Sequence, residues 1–332
     1  MPFQSAADLL SDMLGIQVSK AQTVRYTEAA GEAYVAYQNE QADQIEREAP
    51  PGLPGSEKLV LSADGAMVPL RHGEWAEVKT LAIGEVQPAV KKQDEWVVRT
   101  KHLSYFSRLV NAEQFEHLTL VEMHRRGVEN SRQVAAVMDG AEWLQNFVNY
   151  HCPEAIRILD FAHAGQRIGE IGQALLGEGT PAAQQWIGER LHRLKHHGPR
   201  EILAELGLLQ QQYPGLEVLT ENLAYLEKRN AQMDYPQFQE QGWPIGSGIV
   251  ESGNKLVVEA RLKGAGMHWE RVNVNPILGL RNIVCSNRWS QEWPVIVRQL
   301  RQQARQQRNR TREKHHLALT IVPRATLARR YL

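Results

Sequence analysis

The sequence predicts an α/β fold: a mixed sheet flanked by helices, interrupted by an all-α insertion and preceded by a helical N-terminal region. Three observations predict it. Runs rich in β-branched residues gather between residues 58 and 103. Two short apolar runs, "RQVAAVMDG" and "AIRILDFAHA", follow later, each after an amphipathic helical segment. Residues 165–235 then lose strand character altogether. A chain of 332 residues, 42% of them hydrophobic, is ample for one large core or two modest ones.

Residues 1–46 read as helical. "SAADLLSDMLG" carries apolar positions at helical spacing and stops at Gly15, and Ser19 is placed to cap "KAQTVRYTEAAGEAY". Helix, glycine turn and capped second helix is the outline of a helix-turn-helix, in which Lys20, Gln22, Thr23 and Arg25 would face a DNA groove. A plain helical hairpin packed on the rest fits the same pattern. "REAPPGLPGSE", residues 47–57, reads as a linker.

From residue 58, "KLVLSADGAMVPLR", "EWAEVKTLAIGEV" and "EWVVRTKHL" suggest an antiparallel meander. "AEQFEHLTLVEMHRRG" is an amphipathic helix closing on cations and Gly127, as a helix C-terminus prefers. The first part of the α/β unit spans 58–164. Four helix-like segments separated by Gly and Pro fill 165–235 and read as a small inserted bundle. Residues 236–292 hold a late helix opened by "GSGIVESGNK", and 293–332 form a tail with seven Lys/Arg against one Glu between 298 and 316. That tail is either a phosphate-binding arm or a solvated helix.

Bulk properties exclude several classes. Thirty-eight basic residues balance 38 acidic ones, so composition announces no polyanion binder. Cys152 and Cys285 stand far apart with no Cys-x-x-Cys, against a structural zinc site or a disulfide scaffold and in keeping with a reducing cytosol. No apolar run reaches the roughly 18–20 residues that span a bilayer. "MPFQSAADLLSD" lacks the pattern of a secretion signal, so a cytoplasmic protein is expected. No Walker or Rossmann glycine motif is present.

Three acids stand out by position. Asp64 ends the first strand in "LVLSADG", Asp139 ends another in "VAAVMDG", and Glu251 lies in the first turns of the late helix. Asp-Gly is also a common turn dipeptide, and it is the joint placement that carries the signal. Carboxylates converging on one point repel unless a cation sits between them. Mg²⁺ takes hard oxygen ligands and keeps waters for phosphates. Two such ions about 4 Å apart serve in-line phosphoryl transfer. Meander, helix, strand and later helix, with acids on strand one, strand four and the late helix, is the ribonuclease H-like order.

The block "YLEKRNAQMDYPQFQEQGWPIGSGIVESGNKLVVEARLKGAGMHW" (225–269) resembles the C-terminal signature of DDE-type transposases of bacterial insertion sequences, specifically the ISKra-like group. "SADGAMVPL", "MDGAEWLQNFV" and "ILDFAHA" resemble that group's upstream blocks in the same order, so the likeness covers roughly residues 5–290. It implies a ribonuclease H-like core with a helical insertion before the Glu and two bound Mg²⁺ (or Mn²⁺) ions. It also implies cleavage of double-stranded DNA at element ends, strand transfer to a target, and a homodimer or larger synaptic complex on the nucleoid. Asp64 and Glu251 would be the first and third metal ligands. The second would be Asp139, with Asp160 as the alternative. Asp160 and His163 have the form of an auxiliary Asp-x-x-His motif, supporting the site or touching DNA; a core histidine is the other reading of His163. Longer members carry upstream cysteine-bearing segments missing here, so a truncated, non-catalytic protein that still binds element ends is the competing expectation.

On a helical projection Lys255, Val258 and Leu262 lie near Glu251, and Ile249, Gly253, Leu256 and Ala260 form an apolar stripe toward the sheet. Lys255, Arg261 and Lys263 are the expected phosphate contacts. Glu259, four residues from each lysine, is expected as a salt-bridge partner, and Trp269 as a core residue.

Overall fold

The computed structural model describes residues 2–92 and 95–320. Strand β1 (Lys58–Pro69) pairs along its length with antiparallel β2 (Trp75–Val86). A separate small hairpin follows, β3 (Val90–Lys92) with β4 (Glu95–Val97), and β5 (Thr100–Arg108) then returns antiparallel along β2. Strands β6 (Gln133–Met138) and β7 (Ile156–Leu159) add on the far side of β1, parallel to it and to each other. The open five-stranded sheet therefore runs β5-β2-β1-β6-β7 and is mixed.

The third run of the predicted meander divides. Glu95–Val97 belongs to the small hairpin, and the sheet strand starts at Thr100. Ser104, Tyr105, Phe106, Ser107 and Arg108 are all buried, so the strand is covered on both faces and lacks the alternation that marks a half-exposed one. Its outer edge is capped from helix α12 (Arg271–Cys285). The backbone N–H of Ser107 donates to Asn282 Oδ1 at 3.0 Å, and that of Leu109 to Asn275 Oδ1 at 2.7 Å. An edge satisfied this way offers no ladder to another chain.

One face of the sheet carries Leu59, Leu61, Ala63, Ala136 and Met138 under helices α3 (Ala112–Arg125) and α4 (Glu142–His151). The opposite face is shared. Over β6 and β7 lie helices α5 (Phe161–Leu176), α6 (Pro181–His197), α7 (Arg200–Gln212), α8 (Glu217–Lys228) and α9 (Tyr235–Glu240). Leu194, Leu206 and Leu226 enter one apolar cluster with Val60, Val137 and Ile158, so the insertion packs onto the sheet instead of standing as a separate bundle. It starts four residues ahead of the predicted boundary because Asp160 caps α5.

Over β1, β2 and β5 lies the late helix, made of α10 (Gly248–Gly253), a π-helical stretch (Asn254–Glu259) and α11 (Ala260–Leu262). A Cβ at Gly253 would lie 2.8 Å from the Tyr105 ring, so only glycine permits this approach. Gly253→Val is expected to lower stability by about 1–3 kcal/mol, the usual cost of overpacking, read as a shift in the urea midpoint.

At the N-terminus, α1 (Phe3–Leu14) ends on Gly15 in the left-handed region, and α2 (Lys20–Glu48) opens with a capping box between Ser19 and Gln22. The two helices form, but not as an independent unit. The middle of α2 lies on α12, where a Cβ on Gly31 would strike the Pro276 carbonyl. Lys20 and Arg25 are exposed, whereas Thr23 is buried and Gln22 is engaged in the cap, which removes both from the expected groove-facing set.

The 47–57 stretch is no free linker. Leu53 O accepts from Asn130 Nδ2 at 2.8 Å, and the Ser56 N–H donates to Ser131 Oγ at 3.0 Å. Helix α13 (Trp289–Thr320) begins as core, with Ile296 packed against Ala30, Tyr34 and Ile283, and from Arg301 to Glu313 it is continuously exposed. The last part of the predicted tail, residues 321–332, lies outside the described residues. Among those described, no helix is long and apolar enough to cross a membrane.

Candidate active site

Register sets the site. Leu61 stands opposite Ala136 in the β1–β6 pair, and Met138 opposite Leu159 in the β6–β7 pair. Three residues beyond the first pair and one beyond the second, Asp64, Asp139 and Asp160 follow on three neighbouring segments just past the ends of these pairings. Asp64 does not end its strand: β1 continues to Pro69, and it is β6 that stops at Met138. The gap beside β1 is what opens Asp64 to a ligand. Gly65 is correspondingly not a turn residue. It makes room for Glu77, whose carboxyl a Cβ there would strike.

Gly140 serves a different purpose from Gly65. Its N–H donates to Tyr225 Oη at 2.9 Å, and its carbonyl accepts from the buried Arg229 guanidinium, which stacks 4.1 Å from the Tyr225 ring. A Cβ at Gly140 would overlap Arg229. The end of the insertion thus clamps the turn that presents Asp139.

The three aspartates have different surroundings. Asp160 is buried and its oxygens are all engaged: Oδ1 accepts the Ser247 N–H at 2.8 Å, and Oδ2 accepts both the His163 N–H at 3.2 Å and His163 Nδ1 at 2.7 Å. Burial alone would raise its pKa, but these hydrogen bonds and the His163 charge hold it below the ordinary carboxylate value. Asp139 is half-buried, and one of its oxygens accepts the Ala141 N–H.

Asp64 accepts the Gly65 N–H at 2.7 Å and Asn254 Nδ2 at 2.9 Å. Burial pushes its carboxyl up, and the Asp139 and Glu77 charges add to this against the Gly65 N–H and His163. Ionised together, Asp64 and Asp139 repel, which is the condition a cation relieves.

His163 is raised, first by its hydrogen bond to Asp160, against its own burial, and then by the charges of Asp160, Asp139 and Asp64. Its ordinary value is 6.5, so the stability it adds is fully present below pH 6.5 and is lost as pH rises through the higher folded value. The Asp160 contribution, from a depressed pKa, is present above its ordinary 3.8 and fades as pH falls through the folded value. The pair is therefore strongest between those two limits. The urea midpoint of the native chain should exceed that of His163→Gln most between pH 3.8 and 6.5, with the gap narrowing toward pH 9. A constant gap would contradict the ion pair.

Glu251, on the late helix, is exposed, and its side chain has no hydrogen bond among the described residues. Asn254, three residues on, is the side chain the helix turns toward Asp64. The buried stripe is Val250, Gly253, Asn254, Val257, Val258 and Leu262 instead of the expected 249, 253, 256 and 260, and Leu256 is half-exposed. The difference is one of phase: the stripe begins at Val250, which is buried, and not at Ile249, which is only partly so. No three His, Cys, Asp or Glu side chains among the described residues stand together closely enough to hold a metal.

The donor set still suits a hard divalent ion. Two neighbouring carboxylates and the Asn254 amide oxygen, which is buried without a donor, are all oxygen ligands, and Glu251 is the nearby acid on the helix.

Of the expected phosphate contacts, Lys255 and Lys263 are exposed, with Lys263 paired to Glu259 at 2.9 Å. Arg261 is not a free cation. Its guanidinium lies 4.5 Å from the Phe3 ring and 5.1 Å from that of Trp269, tying α1 to the late helix. Burial and the charge of Arg281 lower its pKa. Trp269 packs on the core, donating Nε1–H to Leu262 O at 3.2 Å.

Sequence reasoning missed Asn254, Glu77, Arg229 and the Ser247 backbone donor. The first was findable, since it follows Glu251 at helical i+3 spacing; Glu77 required the β1–β2 register. No protein-family model matches the chain, and no curated protein matches it.

Proposed function

We propose that this protein is a metal-dependent polynucleotidyl transferase, a DDE-type DNA transposase with a ribonuclease H-like core. The observation that carries this reading is the placement of Asp64 and Asp139 side by side at the point where β6 stops, each within the other's field, under the helix that bears Glu251. The strand order, an antiparallel meander on one side of β1 and two parallel strands on the other, agrees with it.

Asp64, Asp139 and Glu251 would hold two Mg²⁺ (or Mn²⁺) ions, which when bound activate the attacking oxygen and stabilise the leaving one. Glu251, exposed on the late helix, would supply the third carboxylate. Asp160 orients His163, whose charge faces the same carboxylates and would meet the phosphate. Lys255 and Lys263 receive the DNA backbone, and Lys20 and Arg25 belong to an outlying contact. Cleavage by water and then joining by a DNA 3′-hydroxyl need no covalent protein–DNA intermediate. Two ends are held by a homodimer or larger assembly, acting on the nucleoid in the cytoplasm.

The test is strand cleavage of duplex DNA carrying the sequences that flank the gene, in Mg²⁺. Breaks at a fixed position, lost in Asp64→Asn and in Glu251→Gln, are the expected result. The exposure of Glu251 favours a second reading, a non-catalytic protein that binds element ends. Binding without breaks in Mg²⁺ or Mn²⁺ would select it.

Either reading needs a phosphate surface. On α13, Arg301, Arg305, Arg308 and Arg312 are exposed and recur at helical spacing on one face. Replacing all four with Ala is expected to flatten the slope of log affinity against log salt by about 0.9 for each phosphate no longer neutralised, up to about 3–4 in all. An unchanged slope would remove α13 from the interface.

A further inference from the structure

Asn254 is the one polar side chain of the late helix that is both buried and turned to the carboxylates. It is 7% exposed, its Nδ2 donates to Asp64 Oδ2 at 2.9 Å, and its Oδ1 is sealed from solvent with no donor among the described residues. Buried acceptors are almost always paired, so an orphan oxygen beside a candidate cation site points to a partner that completes it.

The backbone around it is fixed. Gly253 lies against Tyr105 and Thr80, Val257 and Val258 are core residues, and the π-helical stretch begins at Asn254 itself. What stays free is the terminal torsion of the side chain, a broad and nearly two-fold rotor. Half a turn exchanges Nδ2 for Oδ1. Facing a bare carboxylate, the amide must present N–H; facing a carboxylate that carries a divalent cation, the oxygen end is the attracted one.

We infer that Asn254 is an additional cation ligand, a neutral oxygen donor that joins the ion held by Asp64 after its amide turns over. This rests on the reading that Asp64 holds a divalent ion. A neutral donor suits the place, because a further charge beside Asp64, Asp139 and Glu77 would add to their repulsion in the ion-free protein. π-Helical turns recur at functional sites, and the one here begins at Asn254.

The experiment is calorimetric titration of the full chain with Mn²⁺, run on the native protein, Asp64→Asn, Asn254→Ala and Asn254→Asp, with melting curves in EDTA alongside. The native chain should show binding that Asp64→Asn abolishes. Asn254→Ala should bind about 10–100-fold more weakly, the range found when groups supporting a metal site are removed. Asn254→Asp, which keeps the shape if Ala does not fold, should bind at least as tightly as the native chain but melt lower in EDTA.

Native affinity in a folded Asn254→Ala, or an Asn254→Asp that matches the native chain in both affinity and EDTA melting, would overturn the inference while leaving the Asp64 site standing. Failure of the native chain to bind, or binding indifferent to Asp64→Asn, would remove the underlying reading and the inference with it.

Discussion

Asp139→Asn is expected to abolish Mg²⁺-dependent strand cleavage, whereas Asp160→Asn should weaken it without ending it. The surroundings of the two acids make the difference. Asp160 is buried, with both oxygens committed to the Ser247 and His163 donors, so its place is to cap α5 and hold the imidazole. Asp139 is half-exposed, lies within the field of Asp64, and has one oxygen turned to the Ala141 N–H. Removing a cation ligand should cost more than the roughly 10²–10³-fold lost with a single electrostatic stabiliser. Removing a group that only orients another costs about 10–100-fold. Single-turnover cleavage rates of the two variants decide it. The reverse order, with Asp139→Asn active and Asp160→Asn inert, would move the second ligand to the end of β7.

The largest expected loss of stability lies elsewhere. Glu122 on α3 is buried and takes Arg288, between α12 and α13, through two bonds of 2.7 and 2.8 Å. Beside it Arg125 meets the buried Glu292 at 2.9 Å. Glu122→Ala strands the Arg288 guanidinium, whose side chain is only 14% exposed. Breaking a buried pair from one side costs about 3–5 kcal/mol, a large share of the roughly 5–15 kcal/mol that holds a domain together. The exposed pair Arg132–Glu57, at 74% and 70% exposure, is the contrast: Arg132→Ala should cost under about 1 kcal/mol. Urea unfolding of both variants measures this, and equal losses would contradict the buried network.

The parts of this fold that were legible in sequence are those with local signals. Ser19, Gly15 and Gly127 marked helix ends because caps and left-handed turns act within a few residues. Asp64 and Asp139 were legible as a pair because each closes an apolar run and precedes glycine. What sequence did not carry was register. Asp64 lies inside β1 and is opened by the early end of β6, a property of two strands and not of one.

The same limit hid β5, whose polar residues are buried by α12 and so break the alternation. It also misplaced Arg261, whose aromatic partners Phe3 and Trp269 come from opposite ends of the core sequence. The stripe on the late helix failed for a different reason. The projection set the stripe one residue early, at Ile249 instead of Val250, and so passed over Asn254 while placing Leu256 inside.

If the proposed site forms, Asp64, Asp139 and Glu251 converge on one divalent ion. Replacing Mg²⁺ with Fe²⁺ and adding ascorbate and peroxide generates radicals that cut the backbone beside the bound ion, and mass spectrometry of the fragments maps the cuts. Cuts are expected to cluster near residues 64, 139 and 251, to be suppressed by excess Mg²⁺ and to be absent in Asp64→Asn. Cuts at 64 and 139 without 251, or a pattern that Asp64→Asn leaves unchanged, would contradict the proposed site.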